Sequence, residues 1–334
     1  MTKKLFWLLL FCALSLGSAA AADPINVTDD PLVIGGGARP LGMGRAFAAI
    51  ADDADAIFIN PGGLASLKAP QAMAMFTNLL GGEVYYSEYC GAIPADFGAV
   101  GIGYISTGVN RIPSFIDPTT EVFTDYYDSV LAFNYSSALA RFFQYAENVY
   151  VGCNLKIYNR GFSGYYNQAA SGFSGDFGIK YIMSPYLNFA LARQNFIPVS
   201  LGAGIGTSGA VEEALAGVTK IATAFKPKQL AGRLLIAADL DIPSQGGQPA
   251  TGHLGSEWKI SPMVSLRAGF DQSIDAATAS GTSWSPTLGT SFNYAGFRMD
   301  FAFHPYYNDP TLATSYFSFS YAGASWFAMK GKVE

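Results

Sequence analysis

The stretch Gly37-Ala38-Arg39-Pro40-Leu41-Gly42-Met43-Gly44-Arg45-Ala46-Phe47 continues through Ala51-Asp52-Asp53-Ala54-Asp55-Ala56 to Asn60-Pro61-Gly62-Gly63-Leu64. Glycines, a short apolar piece, an acidic cluster and an Asn-Pro turn follow one another without the period of a strand. Almost everything after it has that period. The order predicts a compact plug threaded ahead of a large β structure.

Strict alternation is the signature of a strand with two unlike faces. Tyr127–Tyr135 sets Tyr127, Ser129, Leu131, Phe133 and Tyr135 against Asp128, Val130, Ala132 and Asn134. Val149–Ile157 and Phe173–Tyr181 repeat the pattern, as do 233–241, 253–260, 264–271, 287–294, 297–304 and a final run at Phe317, Phe319, Tyr321 and Phe327. Weaker candidates lie at 71–80, 83–93, 97–106, 187–196, 199–206 and 220–227. That makes 14 or 15 strands, and single-chain bacterial barrels favour even numbers. Short turns are expected at Ile93–Asp96, Met183–Pro185 and Ser261–Pro262. Longer loops are expected at Thr107–Asp125, Asn159–Ser171, Thr207–Val218, Pro243–Gly252 and Gln272–Ser285, with a helical turn over Val211–Ala216.

Composition gives the alternation a solvent. The chain is 50% hydrophobic and 14% aromatic but only 13% charged, against about 25% charged in soluble domains. Lys3 and Lys4, the apolar run Leu5–Leu16 and Ala20-Ala21-Ala22 read as a secretory signal, residues 1–22. No later apolar run is long enough for a spanning helix, which needs about 20 residues. The fold class expected is therefore all-β: a transmembrane antiparallel β-barrel of about 14 strands with an N-terminal hatch or plug in its lumen. Residues 23–70 make the plug, 71–327 the barrel and 328–334 a C-terminal tail. The competing class is a large secreted β-sandwich or solenoid. The location expected is the outer membrane of a Gram-negative-type bacterium, with outer-membrane lipid against the wall.

The plug stretch also resembles the N-terminal segment of the FadL-like outer-membrane proteins, in particular the PorV/PorQ and UPF0164 branch. The likeness rests on the order G-A-R-x-x-G-M-G-x-A-F, D-D and N-P-G-G over residues 37–67. Looser similarities follow at His253–Trp258, Leu266–Phe270 and Ala302–Tyr306. The resemblance implies a 14-stranded barrel closed by a hatch. For one branch it implies uptake of long-chain fatty acids or other hydrophobic molecules, and for other members a partnership in protein secretion.

The strand phases place the charges. With the apolar face toward lipid, Asp176, Lys180, Arg233, Asp239, Glu257, Lys259, Arg267, Arg298, Asp300 and His304 all point inward. A lipid-facing Arg or Lys at mid-membrane costs about 2–4 kcal/mol, so such segregation is expected. Arg39, Arg45, Asp52, Asp53 and Asp55 are the plug charges that can pair with them. Asn60, Pro61 and Gly62 form the turn that leads to the first strand, with the Asn60 side chain as its cap. Leu41, Met43, Phe47, Ile50, Ile57 and Phe58 either line a pocket for an acyl chain or form the plug's own small core.

Other chemistries find no support. The glycines of 35–37 and 42–44 lack the strand and the Gly-Lys-Ser/Thr of a phosphate loop. Two histidines and the separated Cys90 and Cys153 offer no transition-metal spacing, and Asp52-Asp53-Ala54-Asp55 lacks that of a calcium loop. No nucleophile elbow accompanies His253 or His304. A net charge of −5 argues against a nucleic-acid partner. The expectation is a non-enzyme without metal or cofactor that passes a fatty-acid-like molecule. The alternative is a barrel that transports nothing and binds a secretion-system partner. Pro113, Pro118 and Pro310 would stiffen the loops such a partner meets.

Overall fold

The computed structural model describes residues 27–28, 30–117, 119–197, 200–201, 213–230, 232–244, 248–274, 281–305 and 313–324. The expected signal, the C-terminal tail, Phe327, Pro118 and Pro310 lie outside them. The barrel strands are β1 (Gln71–Leu79), β2 (Val84–Ala95), β3 (Gly98–Asp117), β4 (Thr120–Ala138), β5 (Val149–Gly164), β6 (Gln168–Ser184) and β7 (Leu187–Gln194). They continue as β8 (Val218–Phe225), β9 (Leu234–Pro243), β10 (Thr251–Lys259), β11 (Val264–Ile274), β12 (Thr282–Tyr294), β13 (Phe297–His304) and β14 (Thr314–Ala322). Each pairs antiparallel with its neighbours in sequence. The circle closes where β14 meets β1, from Phe317↔Phe76 to Ala322↔Gln71.

Closure satisfies the backbone of a wall that faces hydrocarbon, where an open edge would leave N–H and C=O groups without water. The outward face is apolar. Phe76, Ile102, Phe133, Leu155, Phe173, Leu254, Leu288 and Phe319 are exposed there, and the inward neighbours of the same strands are buried. No helix among the described residues is long and apolar enough to cross a membrane; the crossing is made by strands.

Three expectations need correction. The candidate at 199–206 is not a wall strand. β7 pairs directly with β8, and Ser200–Leu201 pairs instead with Glu213–Leu215, which in turn pairs with Val27–Thr28. Glu213–Leu215 is thus a strand and not part of a helical turn. The stretches 107–125 and 159–171 are not loops for most of their length: β3 with β4 and β5 with β6 continue as ladders through them. Ile112, Phe115, Val122 and Phe123 carry strand propensity outward past the span that lipid requires. Membrane strands need about 9–11 residues, and β3 has 20. Four strands therefore raise one side of the wall above the rest.

Within the lumen the chain runs from Asp30 through two one-turn helices, α1 (Ala38–Leu41) and α2 (Ala56–Ile59), to the 3₁₀ turn Pro61–Ser66. Helices this short do not stand alone in water. The wall holds them. α1 packs on β12, β13 and β14, while the Pro61–Ser66 turn packs on β4, β5 and β6 across the barrel.

Candidate functional site

The plug fits because glycines on both surfaces let backbone approach backbone. Gly44 has φ +59° and lies against β11, where a Cβ would stand 2.6 Å from both Phe270 N and O. Gly178 of β6 receives the Asn60 turn; a Cβ there would lie 2.1 Å from Asn60 Oδ1. Gly101 and Gly103 of β3 are recesses in the wall. Hypothetical Cβ atoms there would meet Leu64 Cδ1 at 2.9 Å and the Phe58 ring at 2.5 Å. The β2–β3 ladder runs through them without a break.

Polar contacts then fix the register. Arg39 of α1 donates from Nε and Nη2 to Glu257 of β10 at 2.9 and 3.2 Å. Its Nη1 reaches Asp52 at 2.5 Å and Asp53 at 2.8 Å. Glu257 also accepts from Arg267 Nε at 2.8 Å, and Arg267 pairs with Asp300 at 2.9 Å. Asp300 accepts from Arg298 at 2.6 Å, and Arg298 returns to Asp53 at 3.0 Å. The six groups Arg39, Glu257, Arg267, Asp300, Arg298 and Asp53 thus form a closed, charge-balanced ring joining the plug to β10, β11 and β13. Isolated buried charges cost several kcal/mol each, so the ring is satisfied only while the plug is seated.

Beyond the ring, most of the anchors are backbone groups of the plug. Asp239 of β9 accepts from the Phe47 and Ala48 N–H groups at 3.0 and 2.8 Å. Lys180 of β6 donates to Ile50 O, Ala51 O and Ser66 Oγ at 2.5, 3.0 and 3.1 Å. Asn60 donates to Ala48 O and to Ile179 O of β6, while its Oδ1 caps Gly62 N at 3.2 Å. Pro61 occupies the first position of the turn that follows. Asp176 holds Asn154, which donates to Ile57 O at 2.6 Å. Arg45 lies 3.9 Å from Asp271, whose carboxylate is also bonded by His253 and His304.

No protein-family model and no curated protein sequence matches the chain. Solved structures do. The Ralstonia pickettii toluene transporter TbuX superposes with a TM-score of 0.58 at 12% identity, covering 86% of this chain and 98% of its own. The Pseudomonas putida toluene transporter TodX gives 0.59 at 11%, covering 89% and 99%. A Pseudomonas aeruginosa FadL homologue gives 0.54 at 11%, covering 90% and 99%.

The fold is that of the FadL-like channels.

In this barrel the six apolar plug residues separate into two groups, all nearly or fully buried. Leu41, Ile57 and Phe58 pack with Met73, Met75, Tyr86 and Tyr158, whereas Met43, Phe47 and Ile50 pack with alanines and Leu235 of the opposite wall. Of the charges read as inward, Asp176, Lys180, Asp239, Glu257, Arg267, Asp300 and His304 are buried and Arg298 is partly so. Arg233 and Lys259 are exposed because they fall at the end of the β9–β10 ladder, where Lys259 N donates to Arg233 O beside the β8–β9 and β10–β11 turns.

Several anchors went unnamed in the sequence reading. Ser318 Oγ accepts from Ala38 N, Tyr86 donates to Gly35 O, and Glu88 Oε2 accepts from Gly37 N at 3.0 Å. Their signal was available as strand phase: Tyr86, Glu88 and Cys90 share the buried face of β2. Asp55 reaches that face. Burial first, and then the charge of neighbouring Asp53, push its carboxyl well above the usual range.

Proposed function

We propose that this barrel is an outer-membrane channel for passive uptake of hydrophobic small molecules, gated by its N-terminal plug. The observation that carries the reading is the plug's attachment. It is held in the lumen by a ring of ion pairs and a set of single hydrogen bonds, with no disulfide among the described residues, so it can shift as one body while the wall stays closed. TbuX and TodX, which share the architecture, are described as toluene transporters, and that supports a small apolar substrate, aromatic or acyl. Leu41, Met43, Phe47, Ile50, Ile57 and Phe58 form the apolar surface such a molecule would meet once the plug moves. Diffusion down a gradient drives passage. A secretory signal over residues 1–22 exports the chain, and its barrel wall suits it to the outer membrane of a Gram-negative-type bacterium.

The test is mass spectrometry of molecules extracted from the protein purified in mild detergent, beside an unrelated barrel. Selective enrichment of a fatty acid or aromatic molecule, lost in Phe47→Asp, is the expected result. Equal lipid content in both barrels would overturn the channel reading.

A second reading has an observation of its own. The raised part of the wall exposes Phe115, Ile116, Tyr165 and Tyr166, side chains suited to a protein partner of a barrel that transports nothing. Replacing all four with serine would then abolish partner capture and leave the extracted molecules unchanged.

A further inference from the structure

One plug carboxylate stands outside the Arg39 ring. Asp55 precedes α2 but makes no side-chain capping bond to it; it turns instead toward β2. There Glu88 and Cys90, two apart and so on one face of the strand, point into the lumen. Asp55 Oδ1 accepts from Cys90 Sγ at 3.7 Å, and Glu88 uses one oxygen on Gly37 N. Asp55 Oδ2 and Glu88 Oε1 are left buried with no hydrogen-bond partner. The three residues are 1%, 0% and 7% exposed. One donor atom from each lies within 4.8 Å of the others. Asp52 and Asp53 are matched by arginines, whereas among the described residues neither Asp55 nor Glu88 forms a salt bridge.

We infer that Asp55, Glu88 and Cys90 form a site for one thiophilic divalent cation, Zn²⁺ in particular, that ties the plug to β2. Two buried carboxyl groups aimed at one point need a shared proton or a cation, since uncompensated buried charge costs several kcal/mol per ion. The thiol decides between them. A shared proton needs no third donor, whereas sulfur beside carboxylate oxygen is a zinc donor set. Calcium and magnesium take oxygen ligands and more of them. Zinc bonds of about 2.3 Å to sulfur and about 2.0–2.2 Å to oxygen put tetrahedral donors roughly 3.3–3.7 Å apart. The Cys90 Sγ–Asp55 Oδ1 separation of 3.7 Å lies at the wide end of that range. Gly37 keeps the corner open: a Cβ there would stand 2.1 Å from Asp55 Oδ2. On binding, the S–H bond of Cys90 breaks, its proton leaves to water, and the sulfur pair forms the bond to the metal. A fourth position stays for water. The inference concerns the plug's attachment and stands whether or not the barrel transports.

The test uses the full chain in detergent, stripped with chelator and titrated with Cd²⁺, followed by the absorption of a cadmium–thiolate bond. One ion per chain is expected, displaced by Zn²⁺, with the absorption lost in Cys90→Ser and kept in Cys153→Ser. Glu88→Gln should weaken binding by at least about tenfold, since even residues behind a metal ligand are worth about 10–100-fold. Folding of each variant is checked by its heat-dependent gel mobility. Where Cys90→Ser does not fold, Zn²⁺ protection of Cys90 from alkylation in the Cys153→Ser protein replaces it, and full protection is expected. No absorption with folded wild type, absorption surviving Cys90→Ser, or alkylation indifferent to Zn²⁺ would overturn the site. Stability that responds to pH but to no metal would equally overturn it, in favour of a shared proton.

Discussion

Arg39 is 6% exposed and bonds three carboxylates at once. Its planar fork suits that task, and a lysine's single ammonium does not. Arg39→Ala leaves Glu257 and Asp53 short of a partner in a dry lumen, and breaking a buried pair from one side costs about 3–5 kcal/mol. The temperature at which the folded band disappears in heat-modified gels should fall accordingly, with Arg39→Lys intermediate. Unchanged mobility in both variants would mean that the ring adds nothing to stability. Gly44 tests fit in place of charge. Its left-handed φ and its approach to Phe270 leave no room for a methyl group, and overpacking costs about 1–3 kcal/mol. Gly44→Ala should therefore destabilise the plug without altering any ion pair, whereas the same substitution at Gly323, where a Cβ would meet nothing nearer than Pro70 O at 3.6 Å, should be nearer neutral. The residue types of this site were legible in the sequence as glycines, arginines and aspartates. Which carboxylate meets which arginine was not, because the partners lie 218 positions apart for Arg39 and Glu257.

The strands carry a sharper code. Each alternates because one face meets hydrocarbon and the other meets the plug, and the phase predicted for β4, β5 and β6 is the phase observed. Leu288 lies mid-way along β12 on the outer face and is 59% exposed. Leu288→Arg should lower folding stability in lipid vesicles by about 2–4 kcal/mol; the same change measured in detergent should cost less, since a micelle deforms around the charge. An equal effect in both would argue against a bilayer-facing wall. Strand ends were the weak point of the sequence reading. Polar residues within 107–125 and 159–171 suggest loops, but a ladder continues wherever a neighbouring strand offers partners. That depends on pairing across the wall, which no local pattern records.

For the whole molecule, the closed ladder and the seated plug together predict a barrel that is shut at rest. Wild-type protein in planar bilayers should show no steady conductance. The double variant Arg39→Ala with Arg298→Ala, which opens the ring at two places, should show frequent transient openings. Silence from both would indicate that Asp239, Lys180 and Asn60 hold the plug without the ring. The sequence by itself determined the class of the molecule. Alternating strands, low charge and many aromatics demand a wall between lipid and a polar interior, and a non-periodic glycine-rich segment ahead of the strands demands a place inside it. It also determined the sign of each face, since a charge facing lipid is costly wherever it falls along the chain. Only the tertiary structure decided the contacts. The closed Arg39 ring, the recesses at Gly101 and Gly103, the division of the apolar plug residues between two walls, and the meeting of Asp55 with Glu88 and Cys90 all depend on wrapping the wall around the plug. The physical reason is that strand periodicity specifies direction, inward or outward, while partnership inside a barrel depends on closure and register, and these arise only when all fourteen strands pair.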